Sequence, residues 1–241
     1  MTPGDWRALH LGISAILVSL SIVDRTTPSK EKPVDIRQYS KSEPFLVVQQ
    51  ALGTCVVAAG LLQMFDVLIA RPELFDSPWT SSQRRAAFLA DGCVLLRLWA
   101  MGTLNNDFTF VVRSPPSNSL CTKGPYEILL HPGYAGIIGW AIFQCSWLLD
   151  EKAPFIDIIT RGMDILLEHK LNLYALVTLD LGKFMDLSWF LFSGVLVVTA
   201  LLLPPGLHKR MQKEEEELKK TFGDKFDEYR ANRWRLVPFL Y

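Results

Sequence analysis

Apolar residues along this chain are gathered into blocks, near 6–23, 45–70, 86–104, 134–149 and 187–203. Crossing a hydrocarbon core of about 30 Å takes roughly 20 apolar residues in helical form. Each block therefore predicts a membrane-crossing helix, and the first, fourth and fifth are short enough to borrow flanking residues or to sit in thinned bilayer. The first block could instead be a secretory signal, but it has no basic start and no clear small-residue cleavage site. Between the fourth and fifth blocks, Ile159, Met163, Leu166, Leu167, Leu171 and Tyr174 recur at helical spacing opposite Arg161, Asp164, Glu168 and Lys170. That pattern, within 151–186, predicts a helix lying in the interface rather than a sixth crossing. The stretch 24–44 is rich in Pro, Ser and charge and reads as a connector. After the last block, Leu218, Phe222, Phe226 and Tyr229 share one face of a helical pattern. The expected fold class is all-α: an integral membrane bundle of about five transmembrane helices with a C-terminal cytosolic amphipathic helix. N-terminal helices and their loops would occupy 1–85, and a core with the candidate chemistry 86–241.

Composition agrees with a membrane class. Of 241 residues, 49% are hydrophobic and the formal net charge is zero. Orientation follows from the loops, because Lys and Arg accumulate on the cytosolic side. Five crossings ending in a cytosolic tail put sixteen Lys and Arg on that side against eight on the other, Arg97 lying within a segment. Cys55, Cys93, Cys121 and Cys145 fall in or beside the apolar blocks with no close-spaced pair, so neither a disulfide framework nor a metal site is expected. The basic residues are not interleaved with aromatics, which argues against a nucleic-acid partner. His10, His169 and His208 are isolated in sequence and suggest no role.

Three features carry candidate chemistry. Arg97 stands within LLRLWAM in the third block, where a charge costs a few kcal/mol and needs either a task or a partner such as Asp91 or Asp66. His131-Pro132 opens the fourth block between Tyr126 and Tyr134. Proline suits a first helical turn, whose free amides, with Gly133 and Gly136 allowing close approach, can meet a polar ligand group. The same residues also suit a plain helix start with an interfacial tyrosine belt. In the tail, Arg210 lies one turn before Glu214, making either a shared polar pocket or a structural ion pair. Glu215–Lys219 and Glu216–Lys220 are four apart and predict an exposed face. An even number of crossings separates the His-Pro turn from the acidic tail, so both would reach the same side.

These residues resemble the isoprenylcysteine carboxyl methyltransferase family and, more broadly, membrane methyltransferases that include phospholipid N-methylating enzymes. Three blocks carry the resemblance: LRLWAMGTLNNDFTFVVR at 96–113, SNSLCTKGPYEILLHPGYAG at 117–136, and RMQKEEEELKKTFGDKFDEYR at 210–230 followed by VPFL at 237–240. The resemblance implies methylation of the C-terminal carboxylate of prenylated cysteine, a step of CaaX processing, with S-adenosylmethionine as cofactor. Carried over by position, His131, Pro132, Gly133 and Tyr134, with Tyr126, would hold S-adenosylmethionine, and Glu214 would contact its polar end. Asn118, Ser119, Leu120 and Cys121, with Arg113, would close over it. Arg97 and Arg210 would face the substrate carboxylate. The implied partners are the prenylated C-terminus and the lipid bilayer. The implied location is the endoplasmic reticulum membrane, multi-pass, with active site and C-terminus cytosolic. The chain departs from the family pattern at Leu130, where arginine usually precedes His-Pro, at Phe110 for a common histidine, at Asn105 for a glycine, and in the long connection 151–186. Those departures keep two alternatives open, a phospholipid N-methyltransferase and a membrane scaffold whose pocket has decayed.

Overall fold

The computed structural model describes residues 2–22, 44–108, 119–150, 155–169 and 179–238. Among these the chain is all-helical, with no strand and one isolated parallel bridge between Leu129 and Trp234. Helices α1 (Pro3–Ile22), α2 (Pro44–Phe65), α3 (Ser81–Leu104) and α4 (Pro132–Leu148) run alternately up and down. They are followed by α5 (Phe155–His169), the long α6 (Leu181–Phe222) and the short α7 (Asp224–Ala231). Among the described residues, two stretches are long and apolar enough to cross a membrane, α3 and Leu181–Leu202 of α6.

Local chemistry explains the element ends. Thr80 caps α3 in a reciprocal box with Gln83, so this helix starts five residues ahead of its apolar block. At its far end Asn105 takes φ +47° with ψ −114°, a backbone conformation that glycine adopts readily and L side chains rarely do. Gly223, at φ +55°, separates α6 from α7.

Helices α3 and α4 touch nearly backbone to backbone. A Cβ added at Gly136 would lie 2.5 Å from the Cys93 carbonyl oxygen and 2.9 Å from Arg97 Cβ. One added at Gly139 would lie 2.6 Å from Cys93 Sγ. The glycine spacing thus lowers α4 onto the face of α3 that presents Arg97.

A polar clasp closes the end of the bundle away from the His-Pro turn. Arg71 bridges Asp66 and Asp186, each at 2.6 Å, and Trp189 Nε1 donates to Asp66 at 2.8 Å. Beneath it Phe75, Trp147, Phe155 and Trp189 stack into one aromatic core. Deeper in the bundle, His10 meets Asp91 and Gln144, each at 3.1 Å, and Ser14 donates to Asp91 at 2.8 Å. His10 is therefore not isolated; a long-range pairing from α1 to α3 and α4 is invisible to sequence spacing. The two carboxylates considered as partners for Arg97 are thereby engaged elsewhere.

Two further expectations need correction. Helix α5 packs along α6 through Phe155, Ile158, Gly162 and Ile165, while Met163 and Leu167 are exposed. At Gly162 a Cβ would lie 2.2 Å from the Asp186 carbonyl oxygen, so the apolar stripe read from sequence is offset from the face that docks. Leu171 and Tyr174 lie outside the described residues. The fifth block and the tail are one continuous helix, α6, which passes through Pro204 and Pro205.

Candidate active site

The N-terminus of α4, the inner end of α3 and the second half of α6 meet at one end of the bundle. His131 precedes Pro132 at the start of α4 without a side-chain cap. The amides of Tyr134 and Ala135 both bond to the His131 carbonyl, which leaves this helix start less open to an anion than spacing alone suggests.

Arg97 is buried, and its Nη1 donates to the Gly133 carbonyl at 2.9 Å. Tyr134, Tyr126, Arg210 and Glu214 lie near enough to act on its charge. On the opposite wall, Arg210 Nε donates to Tyr134 OH at 2.8 Å and to Glu214 Oε1 at 3.1 Å. The Tyr134 hydroxyl in turn donates to Glu214. Arg97, Tyr134, Arg210 and Glu214 thus form one cluster across three helices, and Gly133 and Tyr126 border it.

The tail's acidic pair divides its work. Glu214 keeps 24% of its side chain exposed, while Glu215 is buried. Glu215 Oε1 meets His131 Nε2 at 3.0 Å and Arg235 Nε at 2.7 Å, and His131 stacks on Tyr134. The expected exposed pairs are therefore corrected: Lys219 pairs with Asp227, and Lys220 with Glu217. Neither Glu215 nor Arg235 is distinguishable in sequence as a site-end residue. The sequence offers a run of four glutamates, Glu214 to Glu217, of which the second turns toward α4.

Burial works against charge on Glu215, but the hydrogen bonds from His131 and Arg235 and the attraction of the Arg235 guanidinium outweigh it, leaving the carboxyl below its ordinary value of 4.5. A carboxyl depressed by folding adds stability that is full above its unfolded pKa and is lost as pH falls through the folded one. Glu215→Gln should therefore melt below the wild type at neutral pH, with the gap closing as pH drops under 4.5. Thermal unfolding in detergent across that range checks it; a gap independent of pH would show that the carboxylate charge contributes nothing.

The satellite core under the turn answers the question raised by Leu130. Leu130, Phe226 and Tyr229 are buried together, with Leu120, Leu218 and Phe222 packed around them. Leu218 and Phe222 do share a cluster with Phe226 and Tyr229, but across the break at Gly223 rather than along one helix. Leu130 is thus a packing residue here, and Leu120 braces it. Ser119 is exposed and Cys121 half-buried near Tyr126 and Tyr229. Burial pushes both tyrosines above their ordinary value, Tyr229 to about 12, so each acts as a neutral phenol. Arg113 and Asn118 lie outside the described residues.

Residues 88–161 match the isoprenylcysteine carboxyl methyltransferase (ICMT) family model. The matched stretch contains Arg97 and the whole turn from Tyr126 to Tyr134, and it ends before the tail block at 210–230, which the motif resemblance reached separately. No curated protein and no solved structure gives a significant match. The family match supports a methyltransferase of the prenylcysteine kind and, with the two apolar helices, a membrane protein.

Proposed function

We propose that this chain is an S-adenosylmethionine-dependent O-methyltransferase of the C-terminal carboxylate of prenylated cysteine, embedded in the endoplasmic reticulum membrane by five crossings. The observation that carries the reading is the convergence of Arg97, Arg210, Tyr134 and Glu214 at one end of the bundle. The clasp at Asp186 and the site at Arg210 are separated along α6 by roughly 36 Å at helical rise, a little more than a hydrocarbon core. Between them the outer surface carries exposed Phe88, Leu95, Trp99, Leu191, Val198 and Leu201. Polar ends and an apolar waist suit a bilayer, with the site and the basic tail toward the cytosol.

The donor set fits S-adenosylmethionine, which carries an ammonium, a carboxylate and a positively charged sulfur. Partly exposed Glu214 suits the ammonium, and the neutral phenols of Tyr126 and Tyr134 offer apolar faces with a polar tip. His131, Pro132 and Gly133 shape the floor of the turn. The loop from Arg113 through Asn118, Ser119, Leu120 and Cys121 would cover it. The bound cofactor supplies an electrophilic methyl group. A carboxylate is already ionised at neutral pH, so the residues need not remove a proton. Arg97 and Arg210 orient the substrate carboxylate and compensate its desolvation. Both guanidiniums already share their charge with Gly133, Tyr134 and Glu214, which keeps them from quenching the nucleophile by too tight a pair.

Methylation of a phospholipid amine would require a proton acceptor and a site for a cationic head, which paired arginines serve poorly. Labelled methyl from S-adenosylmethionine, offered to farnesylcysteine and to phosphatidylethanolamine vesicles, is expected to enter the prenylcysteine alone. Label in lipid only would reverse the assignment, and label in neither would favour a scaffold.

A further inference from the structure

The turn at 124–131 is held largely by the C-terminal arm. Trp234 N donates to Ile128 O at 3.1 Å, and Leu130 N donates to Trp234 O at 2.7 Å. The Tyr126 carbonyl accepts from Tyr229 OH and from Arg233 Nε, at 3.0 and 3.1 Å. Arg235 grips His131 twice. Its carbonyl accepts from His131 N at 3.1 Å, and its side chain shares Glu215 Oε1 with the imidazole.

A buried carboxylate next to an imidazole needs a permanent counter-charge, or it is left uncompensated whenever the ring is neutral. Arginine is charged at any working pH. Arg230 also approaches Glu215, at 3.5 Å, but half its side chain is exposed and solvent screens it. The residue before His131, where the resembled motif has its cation, is here the buried Leu130.

We infer that Arg235 is the positioning residue of the His-Pro turn, supplying from the C-terminal arm the guanidinium that Leu130 does not, and fixing His131 through Glu215. This rests on the cofactor reading above. Arg235 acts on His131 and Glu215, so its loss should be felt first on the cofactor side of the site.

The test uses the full chain in lipid nanodiscs. Calorimetry with S-adenosylmethionine should show about tenfold weaker binding for Arg235→Ala, a loss of the size one charged hydrogen bond confers. Arg230→Ala should stay within about twofold of wild type. In turnover, Arg235→Ala should raise KM for the cofactor while KM for farnesylcysteine holds. Hydrogen exchange at the Leu130 and His131 amides should quicken in Arg235→Ala and not in Arg230→Ala. Should the alanine variant fail to fold, Arg235→Gln, which keeps a donor without charge, carries the same expectations. Wild-type-like binding in the Arg235 variant, or equal losses in both arginine variants, would overturn the inference. If the wild type itself binds no S-adenosylmethionine, the cofactor reading falls; exchange then decides the positioning alone, and unchanged protection overturns it.

Discussion

Arg97→Ala and Arg210→Ala are each expected to cut methyl incorporation into farnesylcysteine by about 10²–10³-fold, the usual loss when a preorganised charge-stabilising donor is removed. The two residues approach the site from α3 and α6, so each contributes an independent direction to the carboxylate. Arg97→Lys should recover little. An ammonium presents a point charge and cannot both hold the Gly133 carbonyl and present a second fork to a carboxylate. Glu214→Ala should behave differently, weakening S-adenosylmethionine binding more than the chemical step, because the proposed reading sets its partly exposed carboxylate against the cofactor's ammonium. Single-turnover rates at saturating cofactor separate the cases. Turnover near wild type in either arginine variant would remove that residue from the catalytic assignment.

Much of the helical pattern was legible because it rests on local hydrophobicity. The blocks at 6–23 and 134–149 differ from α1 and α4 by a few residues, and only the cap at Thr80 extends α3 beyond its block. The His-Pro turn and the acidic tail do meet, through His131 with Glu215 and Tyr134 with Glu214, as expected from placing both on one side. What sequence could not supply were choices between equivalent neighbours. Glu214 and Glu215 are adjacent, and only the docking of α4 and the C-terminal arm decides which one is buried. The stripe of α5 was misjudged for the same reason. Gly162, silent in a hydrophobic pattern, lets α6 approach and so selects the docking face. Leu130 looked like damage to a pocket, yet its burial with Phe226 and Tyr229 is a long-range pairing that no spacing announces. Isolated-looking His10 is the same lesson in polar form.

Gly136→Ala should damage this protein severely, because its new methyl would land beside Arg97. The new Cβ would sit 2.5 Å from the Cys93 carbonyl oxygen and 2.9 Å from Arg97 Cβ, and neither is the tip of a flexible side chain. Relief requires α3 and α4 to part, at a cost of about 3 kcal/mol, the upper end for overpacking one methyl. Activity should fall further than stability does. Arg97 lies at the point of separation, and a misplacement of about 1 Å at a reacting centre costs roughly 10²-fold in rate. Gly92→Ala, on the same α3, provides the contrast. Nothing lies within 4 Å of its added Cβ, so helix propensity should stabilise it by about 0.5–1 kcal/mol with turnover unchanged. Thermal unfolding and methyl-transfer rates of the two variants in the same nanodiscs make the comparison direct. A Gly136 variant as stable and active as the Gly92 variant would mean that α4 does not rest on α3 at this glycine, and the placement of Arg97 would have to come from elsewhere.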